Sequence, residues 1–267
     1  MRLDRHNTAI VIPALNERLR IREVIEGALR EADSVIVIDD GSDDGTADCI
    51  ADLPITLLRH ARRMGKGASL RDGFAEALRQ GKAAVVTMDG DGQHQASDVP
   101  RLIAAANRHP RALINGARIR RREQQPFHRR LGNDFGDWGI SWGCGFLVRD
   151  TQSGQRLYRA PACALGEIPG EDFVYEAQML ISCARELGYR VVSVPIEARY
   201  KTVHSGEQFR RSHFRPLRDL WRITSHVVGQ VWRRGDVVAE YRRTRANPPL
   251  IDDADGVLRP LRGKAAT

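Results

Sequence analysis

Short apolar runs alternate with helix-like stretches over the first 117 residues, and this alternation constrains the fold more than any other feature. Five runs are each expected to form a buried strand: 8–13, 34–39, 55–59, 83–88 and 112–116. Between them, apolar residues recur three or four positions apart, which predicts helices at 16–31, 44–53, 67–80 and from Val99 to Ala106. Strands joined by helices form a parallel sheet covered on both faces, so we expect an α/β protein.

Composition narrows the class of protein further. The 267 residues have room for one large α/β domain with an extension, or for two small domains. The 42% hydrophobic and 28% charged fractions are typical of soluble globular proteins, and no apolar run approaches the length of a membrane span. The N-terminus shows no signal-peptide pattern, and four scattered cysteines predict reduced thiols, so we expect a cytoplasmic protein.

The charge balance predicts an anionic partner. The net charge is +8, and the sequence pI is about 9.8. A nucleotide, a nucleic acid and an acidic membrane surface all fit this charge.

Acidic clusters follow three of the predicted strands. They read "PALNE" (13–17), "DDGSDDGT" (39–46) and "DGDGQH" (89–94). Ligands of open parallel sheets bind beyond the carboxyl ends of the strands, so the three clusters should share one edge. A single cluster is also explained by a solvated turn, but three on one edge repel one another unless a cation or donors lie among them.

The third cluster has the residue types of a metal site. Asp89 and Asp91 can direct oxygens at one hard cation, and Gln93 can add a carbonyl oxygen. Mg²⁺ and Mn²⁺ take such ligands together with substrate phosphates. Gly90 and Gly92 allow the backbone to bend close to a ligand.

Nucleotide recognition is predicted at the other strand ends. The carboxylate of Asp39 or Asp40 could accept a base N–H. The segment Gly65-Lys66-Gly67 resembles part of a phosphate-binding loop but lacks the following Ser or Thr. No GxGxxG motif occurs, which argues against a nicotinamide dinucleotide.

The ordered series of motifs resembles the family 2 glycosyltransferases of GT-A fold, in particular the dolichol-phosphate or polyprenyl-phosphate mannosyl- or glucosyltransferase branch. The motifs that carry this resemblance are "PALNE", "DDGSDDGT", "GKGASLRDG", "DGDGQH", "GAR", "DTQSGQRLYR", "FVYEAQML", "VPIEARY" and "SHFRPLRDLWRI". The resemblance covers about residues 8–225 and implies a mixed, mainly parallel sheet with helices on both faces.

The resemblance also implies roles for individual residues. The nucleotide would be held by Pro13, Ala14, Asn16, Glu17, Asp39, Asp40, Gly41, Gly67, Asp89 and Gly90. The metal, Mg²⁺ or Mn²⁺, would be held by Asp89, Asp91 and Gln93. The residues closest to catalysis would be Asp91, Arg118 and Arg130. The sugar or acceptor would contact Asp150, Gln152, Ser153 and Glu176. The chain departs from the family at Gln178, where a second Glu is common.

The chemistry depends on the acceptor. A lipid monophosphate is already anionic at neutral pH and needs no general base, only positioning and arginines that offset repulsion between phosphates. A hydroxyl acceptor needs a base. The candidates for that base are Asp150, Glu171, Asp172 and Glu176. The stretch 118–130 contains six arginines, which favours a phosphate acceptor. The alternative interpretation of this stretch is a solvated basic loop.

We expect a catalytic domain over 1–211, an amphipathic helical extension over 212–246 and a disordered tail over 247–267. The extension could lie on a membrane surface, or pack on the catalytic domain or on a partner subunit. Trp138, Trp142 and Phe146 are expected in the core, or else at an apolar rim for a lipid tail.

The sequence features lead to three candidate functions. The first is an inverting, metal-dependent transfer of a hexose from a GDP- or UDP-sugar to a polyprenyl-phosphate-type acceptor, with peripheral membrane contact. The second keeps the donor and transfers to a hydroxyl of a lipid or secondary metabolite. The third is a basic nucleic-acid-binding protein; the acidic edge and the 6% aromatic content argue against it, so no nucleic-acid partner is expected.

Overall fold

The structure is a computed structural model. It describes residues 1–119, 127–165, 168, 172–196, 225, 227–229, 232, 235 and 237–254, and the side chains at 127–133 and 172–173 fall outside that description. Most of the arginine-rich stretch, most of the predicted C-terminal helix before residue 237 and the tail from residue 255 also lie outside the described residues.

One sheet contains all the strands in the described part of the chain. These are β1 (Thr8–Ala14), β2 (Ser34–Asp39), β3 (Thr56–Arg59), β4 (Ala84–Thr87), β5 (Ala112–Ala117), β6 (Arg156–Arg159), β7 (Arg190–Pro195) and β8 (Leu250–Ile251). Their order is β3-β2-β1-β4-β6-β5-β7-β8. Only β6 is antiparallel, to both β4 and β5, so the expected mixed and mainly parallel sheet is confirmed.

Helices cover both faces of the sheet. They are α1 (Ile21–Glu31), α2 (Lys66–Arg79), α3 (Val99–Arg108), α4 (Phe127–Cys144), α5 (Ala160–Cys163), α6 (Asp172–Glu186) and α7 (Val237–Ala246). Successive residues of β1 point to opposite faces. Ile10 and Ile12 pack in the core beneath α1 and α3, whereas Val11 packs with Phe74 and Leu180 on the side of α2, α4 and α6.

Three predicted elements differ from the structure. The helix expected at 16–31 begins at Ile21, because residues 15–20 form bends and a turn after β1. The helix expected at 44–53 is reduced to one 3-10 turn, Asp48–Ile50. The tail is expected to be disordered over 247–267, but in its described part, 247–254, β8 pairs with β7 and Asp252 accepts from Arg108 at 2.9 Å.

Candidate active site

The ends of β1 and β2 are joined by hydrogen bonds between their two loops. The amide of Asn16 donates to Ser42 Oγ at 2.8 Å, and the amide of Glu17 donates to Thr46 Oγ1 at 2.9 Å. In return, Asn16 Oδ1 accepts from the amide of Asp43 at 3.0 Å. The "PALNE" and "DDGSDDGT" motifs therefore form one surface at the edge of the sheet, beside Pro13 and Ala14.

Asp39 ends β2 with a fully buried carboxylate. Its Oδ1 accepts from the amide of Ser42 at 3.1 Å, and its Oδ2 forms an ion pair with Arg59 Nε at 3.2 Å. Oδ2 accepts no aligned hydrogen bond from the described residues, so it retains capacity for a ligand N–H. Gly41 follows with a φ of 75°, and a Cβ there would lie 2.6 Å from the backbone carbon of Arg62, so the turn requires glycine.

Asp40 binds the backbone of the two residues that precede α2. Its Oδ1 accepts from the amide of Met64 and its Oδ2 from the amide of Gly65, at 2.7 and 2.9 Å. His60 donates to Asp40 Oδ1 at 2.7 Å and, through its other nitrogen, to Asp72 Oδ2 at 2.9 Å. Since both oxygens of Asp40 have protein partners, direct contact with a base remains a prediction for this residue.

The two aspartates after β4 lie beside a lysine. Lys66 Nζ is 2.6 Å from Asp89 Oδ1 and 3.2 Å from Glu176 Oε2 on α6. The amide of Gln93 donates to Asp91 Oδ1 at 3.0 Å. Burial raises the pKa of Asp91, and the negative charge of Asp89 raises it further. Burial opposes the charge of Asp89 too, but Lys66 and its other neighbours together outweigh burial and hold the pKa of Asp89 below its usual value.

His94 is a buried neutral neighbour of this pair. Burial lowers its pKa although Asp89 opposes that effect. Its Nδ1 accepts from the amide of Asp89 at 3.3 Å, which places the proton on Nε2. On the other side, the backbone of Gly154 lies so close to the Asp89 carboxylate that a Cβ there would overlap it.

The carboxylates of Asp89 and Asp91 have the chemistry to hold a divalent cation that a substrate phosphate also binds. No cluster of three or more His, Cys, Asp or Glu side chains able to hold a metal occurs among the described residues. Two carboxylates in a partly buried turn, one with its pKa raised by the other, would gain from a cation between them. Mg²⁺ and Mn²⁺ are commonly held by one or two carboxylates and complete their shell with phosphates and water.

The predicted acceptor residues form a second group around the end of β5. Arg118 pairs with Asp150 in a bidentate geometry: Nε donates to Oδ2 at 2.8 Å and Nη2 donates to Oδ1 at 2.7 Å. After Lys66, the positive charge of Arg118 is among the influences that lower the pKa of Asp89. Ser153 is buried, whereas Gln152 is half-buried and lies against Gly136. The side chain of Arg130 lies outside the described residues.

The structure brings together residues that the sequence did not single out. Lys66 was visible only as part of the incomplete phosphate loop, although a lysine at the start of a helix near acidic strand ends was a usable signal. Arg156 is fully buried and donates to the carbonyl of Thr151 at 2.6 Å and to that of Glu176 at 3.0 Å. No local pattern distinguishes it from a surface arginine.

The three aromatic residues expected in the core or at an apolar rim, Trp138, Trp142 and Phe146, lie in different environments. Phe146 is buried in the core, where Arg190 lies over its ring. Trp138 keeps 37% of its surface exposed and contacts the ring of Phe135, 42% exposed, at a centroid distance of 5.6 Å. Trp138 also contacts Trp142 at 5.4 Å, so an aromatic row runs along one side of α4.

Solved structures share this architecture. Glucosyl-3-phosphoglycerate synthase from Mycobacterium tuberculosis, in complex with Mn²⁺, UDP and glucosyl-3-phosphoglycerate, superposes with a TM-score of 0.59 at 22% identity, over 85% of this chain and 79% of that one. The same enzyme with Mn²⁺ and UDP-glucose gives a TM-score of 0.59 at 22% identity, over 85% and 78%. The fold is thus that of the GT-A enzymes.

The sequence places the chain within one family of these enzymes. The profile described as "Glycosyl transferase family 2" matches residues 9–167, more than half of the chain. The chain therefore belongs to glycosyl transferase family 2 and is a glycosyltransferase, which removes the reason for the nucleic-acid-binding alternative. Uncharacterized protein MJ1222 of Methanocaldococcus jannaschii is 28% identical over 198 residues, 72% of this chain and 81% of that protein.

Proposed function

We propose that this glycosyltransferase moves a hexose from a GDP- or UDP-sugar to a phosphate-bearing acceptor, with Mg²⁺ or Mn²⁺ at Asp89, Asp91 and Gln93. The donor half of the proposal is supported by the acidic strand-end turns and by the buried Asp39. Its Oδ2 is ion-paired with Arg59 but accepts no aligned hydrogen bond from the described residues, so it can accept a base N–H. The donor half is also supported by the likeness to an enzyme whose solved complexes contain UDP-glucose with Mn²⁺, and UDP with Mg²⁺.

The observation that carries the acceptor half is the position of Arg118. Its guanidinium is fixed at the end of β5 by two hydrogen bonds to Asp150, and its charge is among those that lower the pKa of the Asp89 carboxyl. An arginine beside the donor diphosphate offsets the repulsion between two phosphorylated substrates. The structural relative has been solved with phosphoglyceric acid and with glycerol 3-phosphate, both of which carry a phosphate.

The reaction needs no proton transfer if the acceptor phosphate is the nucleophile. One of its anionic oxygens forms the new bond to C1 of the sugar from the face opposite the leaving group, which inverts that carbon. The bond from C1 to the diphosphate breaks, and the nucleoside diphosphate departs with the electron pair. When bound, the cation neutralises charge on that leaving group. Arg118 and Lys66 supply the fixed positive charge of the chain itself.

Within this class we propose a polyprenyl-phosphate-type lipid as the acceptor and peripheral contact with the membrane. Two features support the lipid: the arginine-rich stretch that leads into α4, and the exposed rings of Phe135 and Trp138 on that helix. Aromatic and basic side chains together are typical of membrane-interface segments. No helix in the described part of the chain has the length and apolar composition needed to cross a bilayer.

A hydroxyl acceptor is the second candidate, and the position of Glu176 favours it. Its Oε2 lies 3.2 Å from Lys66 Nζ, the same ammonium that contacts Asp89, so a carboxylate is present beside the metal residues. In this reaction Glu176 would take the hydroxyl proton while the diphosphate leaves. Asp150 is a poorer base, since both its oxygens accept from Arg118.

The test uses labelled UDP-glucose, GDP-mannose and related donors with Mn²⁺ and two acceptors, undecaprenyl phosphate in detergent and glycerol 3-phosphate. Transfer to the lipid alone supports the full proposal, whereas transfer to glycerol 3-phosphate alone supports only the phosphate-bearing acceptor.

Arg118→Ala should raise the acceptor KM at least tenfold and leave the donor KM within about twofold. Transfer to a hydroxyl acceptor that Glu176→Gln abolishes would replace the proposal with the second candidate. The anomeric proton signal of the product, read by NMR, tests inversion.

A further inference from the structure

Asp137, on α4, makes a dense set of contacts with the turn that carries Asp150. Its Oδ2 accepts from the amide of Asp150 at 2.9 Å. Its Oδ1 accepts from the amide of Thr151 at 2.7 Å and from the Thr151 hydroxyl at 2.8 Å. One buried carboxylate therefore fixes two consecutive residues of the turn.

The turn needs such support because its backbone is strained. Asp150 has a φ of 49°, in the left-handed region that costs an L-residue about 1 kcal/mol. In this conformation the carboxylate faces Arg118 and accepts from its guanidinium and, at 2.7 Å, from its backbone amide. Without hydrogen bonds to the amides of Asp150 and Thr151, an ordinary backbone conformation would turn the Asp150 carboxylate elsewhere.

The environment of Asp137 indicates a role beyond packing. Asp137 is buried, and its partners among the described residues are the amides of Asp150 and Thr151 and the Thr151 hydroxyl, none of which carries a positive charge. A buried carboxylate without a cation is costly, and burial raises its pKa to about 6. An apolar residue would fill the space with less cost but would leave the turn unsupported.

We propose that Asp137 is a positioning residue for the acceptor: it holds Asp150 in the left-handed conformation that presents Arg118 to the acceptor phosphate. The inference rests on the proposed function for the role of Arg118. Thr151 is held from the other side by Arg156, whose Nη2 donates to the Thr151 carbonyl at 2.6 Å, so the turn is fixed between two buried charged residues.

The first test compares Asp137→Asn and Asp137→Ala with a matched control, Ser141→Ala. Ser141 lies four residues further along α4, and its Oγ accepts from the amide of Val148 at 2.9 Å. Val148 is in the same segment between α4 and β6 as Asp150, but Ser141 does not bond the turn at Asp150 and Thr151. With undecaprenyl phosphate and glycerol 3-phosphate as acceptors, both Asp137 variants should raise the acceptor KM at least tenfold and change the donor KM less than twofold. Ser141→Ala should change neither.

The second test needs no substrate and separates this inference from the proposed function. Phenylglyoxal modifies accessible guanidinium groups, and the modified peptides can be followed by mass spectrometry. Arg118 should react several times faster in Asp137→Ala than in the wild type or in Ser141→Ala, whereas the reference Arg59 should react equally in all three. An unchanged Arg118 rate in a folded Asp137→Ala variant overturns the inference. A faster Arg118 rate in Asp137→Ala, together with a wild-type protein that transfers sugar to neither phosphate acceptor, upholds the positioning and refutes the proposed function.

Discussion

Lys66 Nζ lies 2.6 Å from Oδ1 of Asp89 and is the cation that balances this carboxylate. Burial opposes the charge of Lys66, but Asp89 and Glu176 outweigh it and raise its pKa above the ordinary value. The ammonium therefore holds positive charge beside the residues that we propose as metal ligands. An added divalent cation and Lys66 would compete for the same oxygens or share them.

Lys66→Met should destabilise the metal-free protein by roughly 2 kcal/mol, below the value for a fully buried pair because the two side chains keep 22% and 28% of their surface exposed. Mn²⁺ should restore part of the loss, since it replaces the missing positive charge. The measurement is Tm in EDTA and in Mn²⁺. Lys82→Met is the control, because Lys82 is a surface lysine that donates to the carbonyl of His6. Equal Mn²⁺ responses in wild type and Lys66→Met would contradict this interpretation.

Asp91→Asn should change stability and activity in opposite directions. The variant keeps an oxygen for the amide of Gln93 but removes a carboxylate whose pKa is raised by burial and by Asp89. We expect unfolding in EDTA to require about 1 kcal/mol more free energy, because a partly buried charge that is repelled by Asp89 has gone. Mn²⁺-dependent sugar transfer should fall at least a hundredfold. A variant that loses both stability and activity would indicate a purely structural residue.

His60 should make stability depend on pH. Burial lowers its pKa, but the hydrogen bonds to Asp40 and Asp72 more than compensate, so the folded-state pKa lies above the unfolded value of about 6.5. The stabilisation is complete below that value and is lost as pH rises through the folded pKa. Urea unfolding from pH 6 to 9 should show the advantage of wild type over His60→Gln shrinking with pH. An advantage that grows with pH would show that His60 is neutral in the folded protein.

Asp137 should show a pH dependence between pH 4 and 6. Burial raises its folded pKa to about 6, so its contribution to stability is complete below about 4 and is lost as pH rises through 6. Asp137→Asn removes the titration. The free energy of unfolding of the wild type, measured relative to Asp137→Asn, should therefore decrease from pH 4.5 to 7. A difference that is constant over this range would refute the raised pKa.

The sequence predicts the strands and their acidic ends well because that information is local. A buried parallel strand is a continuous apolar run, and the residues after it must lie at the ligand-binding edge. The hydrogen-bonded contacts within the site are not local. Lys66 and Glu176 meet from α2 and α6, and Asp137 reaches the turn at Asp150 from a separate helix. No periodic pattern links such residues.

The antiparallel strand β6 illustrates the same limit. Its sequence, "RLYR", begins and ends with arginine and is not among the predicted strands. It nevertheless lies between β4 and β5, and Arg156 is fully buried because carbonyl oxygens of Thr151 and Glu176 accept from its guanidinium. Only the three-dimensional positions of those carbonyl groups make a buried arginine favourable.

Gly154 should be required for the metal site, and its substitution gives a sharp test because the chain supplies a matched glycine. A Cβ at residue 154 would overlap the carboxylate of Asp89, whereas a Cβ at Gly139, within α4, would meet nothing within 4 Å. Gly154→Ala should displace Asp89, abolish the Tm increase caused by Mn²⁺ with UDP or GDP, and lower transfer at least tenfold.

Gly139→Ala should leave transfer within about twofold and stabilise the protein by up to about 1 kcal/mol, since alanine is the better helix former. Circular dichroism shows whether both variants are folded, and thermal shifts with and without Mn²⁺ and nucleotide measure the site directly. A folded Gly154→Ala variant with a wild-type response to Mn²⁺ and nucleotide would mean that the Asp89 carboxylate does not hold the cation. In that case the ligands would have to be sought at Asp91 and the remaining acidic side chains of the strand-end edge.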